Sequence, residues 1–213
     1  MSETRTRNME KRRERILLQA RTMLAEGGFE ALNLRELAEI SGVTVPTIYN
    51  LIGNKAAVLK ALVLGAFVDF ERALEEKLPC ATASLPALMA ATFAQMISLD
   101  EHYYRSTALA SERVEIESDG NEDYGFKRGP LRKYAGKLCS DALREGLLRG
   151  DIAGEVLVEQ MISNHQVAFR DWAHHVISLD ELRKQTLRGF YIALAADAVD
   201  NFRSYIAREL QQL

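Results

Sequence analysis

Apolar residues along the chain recur at the three- and four-residue spacing of an α-helix, and no stretch alternates convincingly with a period of two. The first apolar stripe runs from Ile16 to Leu24 and is followed by Gly27 and Gly28. Glycine commonly ends a helix because it accepts left-handed backbone angles. The pattern therefore predicts a first helix from about Asn8 to Glu26.

Polar capping residues mark where the next helices begin. Asn33 and Thr44 precede two short helical segments, and Asn54 precedes a long one that lasts until Pro79. Side chains of this kind accept hydrogen bonds from the first N–H groups of a helix. Further helices are predicted from Ser84, Asp100 and Leu131, with a loop at Ile116–Lys127, and then over Gly154–Ile177 and Leu179–Leu210, the last with a break near Ala195–Ala198. The whole pattern predicts an all-α fold of about nine to ten helices.

The segment Leu34–Gly53 has the spacing of a helix-turn-helix. Such a unit needs a small residue where its helices touch, a glycine in the turn and an apolar residue that holds the second helix. Ala38, Gly42 and Ile48 supply these at steps of four and six residues. The sequence therefore predicts a helix-turn-helix whose second helix begins after Thr44.

Two residues near this unit are candidates for contacts with a nucleic-acid backbone. Lys55 stands at the start of the predicted fourth helix, where the helix dipole disfavours a cation. The conflict disappears if the helix terminus and the ammonium group together hold one phosphate. Tyr49 follows Ile48 on a helix too short to have a core of its own. A partly buried core tyrosine is the alternative interpretation of Tyr49.

The charge distribution separates the N-terminal part of the chain from the rest. The 213 residues have a net charge of −3, yet residues 1–60 hold ten Lys or Arg and seven Asp or Glu, a net charge of +3. The remaining residues therefore carry −6. A basic end on an acidic body is typical of a DNA-binding unit joined to a module with another partner.

Several functional classes have no signature in the sequence. The motifs of serine hydrolases, zinc proteases and dinucleotide-binding folds do not occur, so no enzyme activity, cofactor or metal is expected. No run of about 18 apolar residues and no secretory signal is found, which predicts a cytoplasmic protein that does not enter a membrane. Cys80 and Cys139 stand alone, as core cysteines do in a reducing compartment.

From Leu34 to Lys55 the chain resembles the TetR family of transcriptional regulators. The shared features are a short Leu-Ala helix, a Gly turn, a Thr cap, a Thr-Ile-Tyr run and a Lys six residues after the Tyr. The chain departs from the family pattern at Ile52, where Phe is usual, and at Pro46 and Asn50. The resemblance implies an N-terminal three-helix DNA-binding domain, residues 1–54, and a helical ligand-binding and dimerisation domain, residues 55–213.

The resemblance and the geometry of a recognition helix together suggest which residues contact DNA. The first turn of such a helix enters the major groove. Tyr49 and Lys55, with Thr47, are expected to anchor the DNA backbone, whereas Asn50 either reads an adenine edge or touches phosphate. Arg35 is either a further contact or a solvated surface charge. The full set of candidates is Arg35, Thr44, Val45, Thr47, Tyr49, Asn50 and Lys55.

A second group of residues is predicted in the helical body. Aromatic and flexible Met side chains line adaptable apolar ligand sites, and they also fill ordinary helical cores. The resemblance favours a pocket, because members of the family commonly bind small apolar or amphipathic effectors in this domain. The candidates are Phe67, Phe70, Met89, Phe93, Met96, Tyr103, Tyr104, His165, Phe169 and Trp172. His165 is either a hydrogen-bonding group for a ligand or a satisfied interface histidine.

Together these features predict a bacterial, sequence-specific DNA-binding regulator, a repressor that a small apolar or amphipathic ligand releases from a roughly palindromic operator. The last two long helices are expected to pair with their copies in a homodimer, because a monomer would leave their apolar stripes partly exposed. Two alternatives are a helical protein–protein adaptor and a hydrophobic-substrate binding protein or enzyme with the same fold.

Overall fold

A computed structural model describes residues 3–117 and 129–213, and the regular elements in these two ranges are helices. The N-terminal helices are α1 (Glu3–Ala31), α2 (Leu34–Ile40), α3 (Val45–Leu51) and α4 (Lys55–Glu75). A short 3₁₀ turn (Thr82–Ser84) leads into α5 (Leu85–Leu99), α6 (Glu101–Glu117), α7 (Gly129–Arg144), α8 (Gly154–Ala173), α9 (Leu179–Ala195) and α10 (Asp200–Gln211). The prediction of an all-α fold with about nine to ten helices is confirmed.

The first helix is longer than its apolar stripe predicts. It begins at Glu3 rather than Asn8, because its first turns are rich in Arg and Glu, which favour helix without any apolar periodicity. The predicted break is present, since Gly28 has a φ of 68° and interrupts the helical conformation. Of the predicted acidic loop at Ile116–Lys127, the first two residues end α6 and the others lie outside the described residues.

Two of the three predicted helix caps form as expected. The side-chain oxygens of Asn33 and Asn54 accept hydrogen bonds from the backbone N–H groups of Arg35 and Ala57, each at 2.9 Å. Thr44 occupies the predicted cap position of α3, but its hydroxyl bonds to the Thr47 hydroxyl at 2.9 Å instead of capping the helix.

The predicted last helix is divided into α9 and α10 by a buried carboxylate. Asp197 lies in the predicted break and accepts hydrogen bonds from three consecutive backbone N–H groups, those of Gly150, Asp151 and Ile152, at 2.9 to 3.1 Å. The preceding helix, α8, ends at Ala173 rather than Ile177, and His175 adopts a positive φ of 61° in the turn that follows.

The chain forms two compact units. The first comprises the described residues up to Ala66 together with α6, and the second comprises Phe67–Leu99 and the helices from α7 onwards. Helix α4 contributes its beginning to the first unit and its end to the second. The functional boundary between residues 54 and 55 stays a prediction, because a compact unit need not coincide with a functional domain.

In the first unit, α1 packs along α6 and also supports α2 and α3. Ile16, Ala20 and Leu24 of α1 are fully buried. Beside them, the guanidinium of Arg21 lies 4.2 Å from the centre of the Tyr103 ring and 3.1 Å from the Asp100 carboxylate. A cation stacked on an aromatic ring and paired with a carboxylate orients α1 against the start of α6.

In the second unit, α8 and α9 make the most extensive helix pair. A Cβ atom on Gly189 would lie 2.6 Å from that of Asn164, so only glycine permits this close approach. One turn away, His165 and Thr186 are both buried and share a hydrogen bond of 3.1 Å between the imidazole and the hydroxyl. The polar group in this core is therefore partnered, as buried polar groups generally are.

The segment Thr82–Leu99 is long and apolar enough to cross a membrane by length and composition alone, with a mean hydropathy of 1.3 over 18 residues. The segment is not an uninterrupted apolar run, because Thr, Ser, Pro and Gln residues divide it, but its mean hydropathy is higher than the sequence pattern indicated. Its helix, α5, buries Met89, Met96 and Ile97 and packs against α9. The apolar side chains thus have a protein core to occupy.

The buried histidine makes stability depend on pH. Burial lowers the pKa of His165 from 6.5 to about 4, so in mildly acidic solution the unfolded chain binds a proton that the folded chain does not. The free energy of unfolding should fall as pH decreases through this window, by roughly 2 kcal/mol from His165 alone between pH about 7 and about 4.5. Urea unfolding at both pH values measures the loss. The His165→Gln protein should lose less unfolding free energy over the same pH range. An equal loss in both proteins would show that His165 is not the cause.

Candidate nucleic-acid interface

The residues that shape the helix-turn-helix have the conformations that their spacing predicts. Ala38 and Ile48 are buried, and Gly42 turns the chain with a φ of 60°. The N–H of Val43 donates to the carbonyl of Ala38 at 2.9 Å, which closes the turn after α2. Helices α2 and α3 are thereby held as one unit against α1.

This arrangement leaves a polar face of α3 open to solvent. Thr44, Tyr49 and Asn50 are exposed, whereas Val45 and Thr47 are half-buried. Because 53% of Tyr49 is exposed, the ring is not part of the core, and this finding removes the alternative considered for it. Arg35 is also exposed, near the start of α2. All the candidates on α2 and α3 are thus at least partly accessible to a partner.

The first turns of α1 lie beside this face of α3, which the sequence did not reveal. One open cleft of about 590 Å³ is lined by Asn8, Lys11, Arg12, Arg15, Gly42, Val43, Thr44 and Thr47. A second cleft of about 530 Å³ is lined by Arg5, Asn8, Met9, Arg12, Thr47, Asn50 and Leu51. Both therefore combine cations from α1 with hydroxyl or amide groups of α3, the donor types that contact phosphate in protein–DNA complexes.

Lys55 has a protein partner in addition to its predicted role. Its ammonium lies 4.0 Å from the centre of the Phe29 ring, so the negative face of the ring offsets part of the cost of a cation at the start of α4. The conflict noted in the sequence is therefore reduced within the protein. Contact between Lys55 and a phosphate stays a prediction.

Most of the predicted pocket aromatics meet in the second unit. The Phe93 ring is 5.9 Å from that of Phe70, 4.8 Å from His165 and 5.7 Å from Phe169, between ring centres. Phe169 in turn stacks on Trp172 at 5.4 Å. These distances are those of directly packed aromatic pairs. We refer to Phe70, Phe93, His165, Phe169 and Trp172 as the aromatic cluster.

The other predicted pocket residues are divided between the two compact units. Phe67 is half-buried with its ring against Gly129, and Met89 and Met96 are buried on α5. Tyr103 and Tyr104 belong to the first unit, where their rings lie near Arg21. These two tyrosines therefore belong to a different compact unit from the aromatic cluster.

Sequence reasoning missed two neighbours of the cluster. Tyr134 lies edge-on to Phe70 at 6.4 Å and donates a hydrogen bond to Glu75 at 2.9 Å. Burial, together with the Glu75 carboxylate, raises the pKa of the Tyr134 phenol. Thr186 binds the His165 ring. The signal for Tyr134 was its position on the apolar stripe of α7, between Leu131 and Leu138.

Comparisons with known proteins agree with this geometry. Residues 16–62 match the family model described as bacterial regulatory proteins, tetR family. The match covers the buried part of α1, the helix-turn-helix and the start of α4. No curated protein matches the chain in sequence.

Solved structures extend the likeness over most of the chain. A Rhodococcus sp. protein assigned to the TetR family has a TM-score of 0.67 at 15% identity, with 87% of this chain and 99% of that one covered. SmeT, the repressor of a Stenotrophomonas maltophilia multidrug efflux pump, has a TM-score of 0.66 at 21% identity, with 89% and 92% covered. A gamma-butyrolactone receptor has a TM-score of 0.56 at 15% identity, with 96% and 100% covered. Residues 16–62 therefore match the tetR family of bacterial regulatory proteins, and the fold of the described residues is that of solved structures assigned to the TetR family.

Proposed function

We propose that the protein is a homodimeric, sequence-specific repressor that leaves its operator when a small apolar or amphipathic ligand binds. The observation that carries the proposal is the exposed polar face of α3, held on a tetR-type domain beside two cation-lined clefts. Repression is favoured over activation because a small dimer on a promoter blocks polymerase without further contacts.

The DNA-binding roles follow from the position of each side chain on the helix-turn-helix. Thr44 and Val45 lie at the first turn of α3 and would meet base edges in the major groove. Tyr49 and Lys55 would hold the backbone on either side. Thr47 would contact the backbone as well, Asn50 and Arg35 would add contacts, and the contacts to phosphate would fix orientation rather than sequence.

The effector would act on the aromatic cluster. Its ring contacts join three helices, since Phe70 lies on α4, Phe93 on α5 and Phe169 on α8. Because these rings are packed against one another, a ligand must separate some of them and displace α4. Lys55 begins the same helix, about 20 Å from Phe70 along its axis. A tilt of α4 would therefore move the DNA-binding end.

The dimer interface would include the outer face of α8. Val156 is 59% exposed and Val167 is 50% exposed. Together with Gln160 and Ser163 they have the three- and four-residue spacing of one helix face. Ile192 on α9 is 60% exposed. Exposed apolar side chains repeated on one helix face are typical of a surface that a partner covers.

Selection of DNA from a random pool tests sequence-specific binding. A dimer with two recognition helices should enrich a roughly palindromic motif, with half-sites about one helical turn apart or a multiple of it. Affinity for that motif should fall steeply with salt through counterion release. Recovery of no enriched motif would contradict the proposed function.

Lys55→Ala then tests the backbone contact at the start of α4. It should weaken binding to every duplex and reduce the salt slope by about one unit. Arg72→Ala is the matched control, because it removes a cation from the far end of the same helix. If both variants changed the slope equally, the loss would reflect net charge and not a contact of Lys55.

A charge on the outer face of α8 tests the dimer. Val167→Glu should convert the dimer into a monomer of 23.9 kDa at micromolar concentration, because a buried unpaired carboxylate disfavours the interface. Light scattering measures the mass. Leu143→Glu, on α7, is the control at a similar exposure of 52% and should remain dimeric. A wild-type monomer would refute the proposed assembly.

Thermodynamic reciprocity tests the effector. Screening of neutral aromatic molecules should find a compound that releases the operator. This compound should bind more weakly to the protein–operator complex than to the protein alone. The factor between its two affinities should equal the factor by which it lowers the affinity for the operator. Phe70→Ala, in the aromatic cluster, should reduce this factor, whereas Val68→Ala, exposed on the same helix, should not. Equal ligand affinity with and without saturating operator would show that the sites are not coupled.

A further inference from the structure

The first turns of α1 form a helix that takes no part in the core. Every side chain from Arg5 to Arg15 is exposed, and Ile16 is the first buried residue of the helix. Helices in proteins are stabilised chiefly by packing one face against the rest of the structure. This stretch has no such face, so its surface is open to a partner.

Charges are segregated around this exposed stretch. The cations that line the two clefts beside α3 are Arg5, Lys11, Arg12 and Arg15. At about 100° per residue they occupy one half of the helix surface, and no acidic residue between positions 5 and 15 shares it. The other half holds Arg7, Glu10, Arg13 and Glu14, whose formal charges cancel. We refer to the first half as the cationic face of α1.

The cationic face has the chemistry and the length of a phosphate-binding track. From Arg5 to Arg15 the helix rises about 15 Å, which corresponds to about four base-pair steps of duplex DNA. Across the clefts, Thr47 and Asn50 of α3 offer a hydroxyl and an amide. Guanidinium, ammonium, hydroxyl and amide groups are the side-chain donors that proteins direct at the DNA backbone.

We propose that the cationic face of α1 is a second DNA-backbone surface, which holds the phosphates that flank those met by α3. The inference rests on the proposed DNA binding and extends it from the helix-turn-helix to the helix before it. The clefts then accommodate the sugar–phosphate backbone between α1 and α3. The surface adds affinity for duplex DNA of any sequence, because phosphate contacts carry no direct sequence information.

Two double variants of equal charge test the proposal. Arg5→Ala with Arg12→Ala removes two cations from the cationic face, and Arg7→Ala with Arg13→Ala removes two from the opposite half. Both variants change the net charge by the same amount on the same helix, so long-range attraction is matched. All four side chains are exposed and alanine favours helix, so both proteins should fold with wild-type helicity and melting temperature.

Binding is measured on the selected operator and on a scrambled duplex across a range of salt concentrations. The Arg5/Arg12 variant should bind both duplexes about tenfold more weakly at about 0.15 M salt, with a salt slope smaller by about two units. It should also lose backbone protection at the edges of the hydroxyl-radical footprint. The Arg7/Arg13 variant should keep the wild-type slope and footprint.

Equal losses in the two variants would overturn the proposal, since only net charge would then matter. Wild-type affinity in the Arg5/Arg12 variant would overturn it as well, and would assign the cationic face to a partner other than DNA. Failure of the proposed function gives a different result, in which the wild-type protein prefers no sequence. The scrambled duplex still reports on the cationic face in that case.

Discussion

The DNA-binding surface depends on one constraint, which is that two seven-residue helices cannot bury a core of their own. Helices of this length are marginal in isolation, and α2 and α3 together bury Leu37, Ala38 and Ile48. Both helices pack against α1, which therefore helps to set the position of α3. Helix α1 in turn is held on α6, where Arg21 binds Asp100 and the Tyr103 ring. We therefore expect a change at the start of α6 to alter the position of α3 through α1.

The same constraint explains why the helix-turn-helix was predictable from the sequence. Its geometry is local, because Ala38, Gly42 and Ile48 must meet within a few residues of one another, and their spacing is thus fixed in the chain. The break between α9 and α10 was predictable in part for the same reason. Its cause was not, because the buried carboxylate of Asp197 binds N–H groups more than forty residues earlier in the chain.

The periodicity of apolar residues does not determine which distant helices contact one another. The apolar stripe on α6 shows that Tyr103 and Tyr104 are buried, but it does not say which core they enter, and the structure places them beside Arg21. Likewise nothing in the sequence joins Phe29 to Lys55, although their contact reduces the conflict between a cation and a helix start. The cationic face of α1 depends on how its charges are distributed around the helix, which the net charge of the segment does not show.

The aromatic cluster also constrains the chemistry of the proposed effector. Burial keeps His165 neutral near pH 7, with a pKa of about 4. An anionic ligand that relied on a charged imidazole would have to protonate it, and burial opposes that protonation. A neutral ligand needs no protonated imidazole, because the neutral ring can exchange its present hydrogen bond for one with the ligand. The aromatic surface of the ligand can replace the ring contacts that its binding opens. The physical properties of the cluster therefore favour a neutral, apolar or amphipathic effector over an acid.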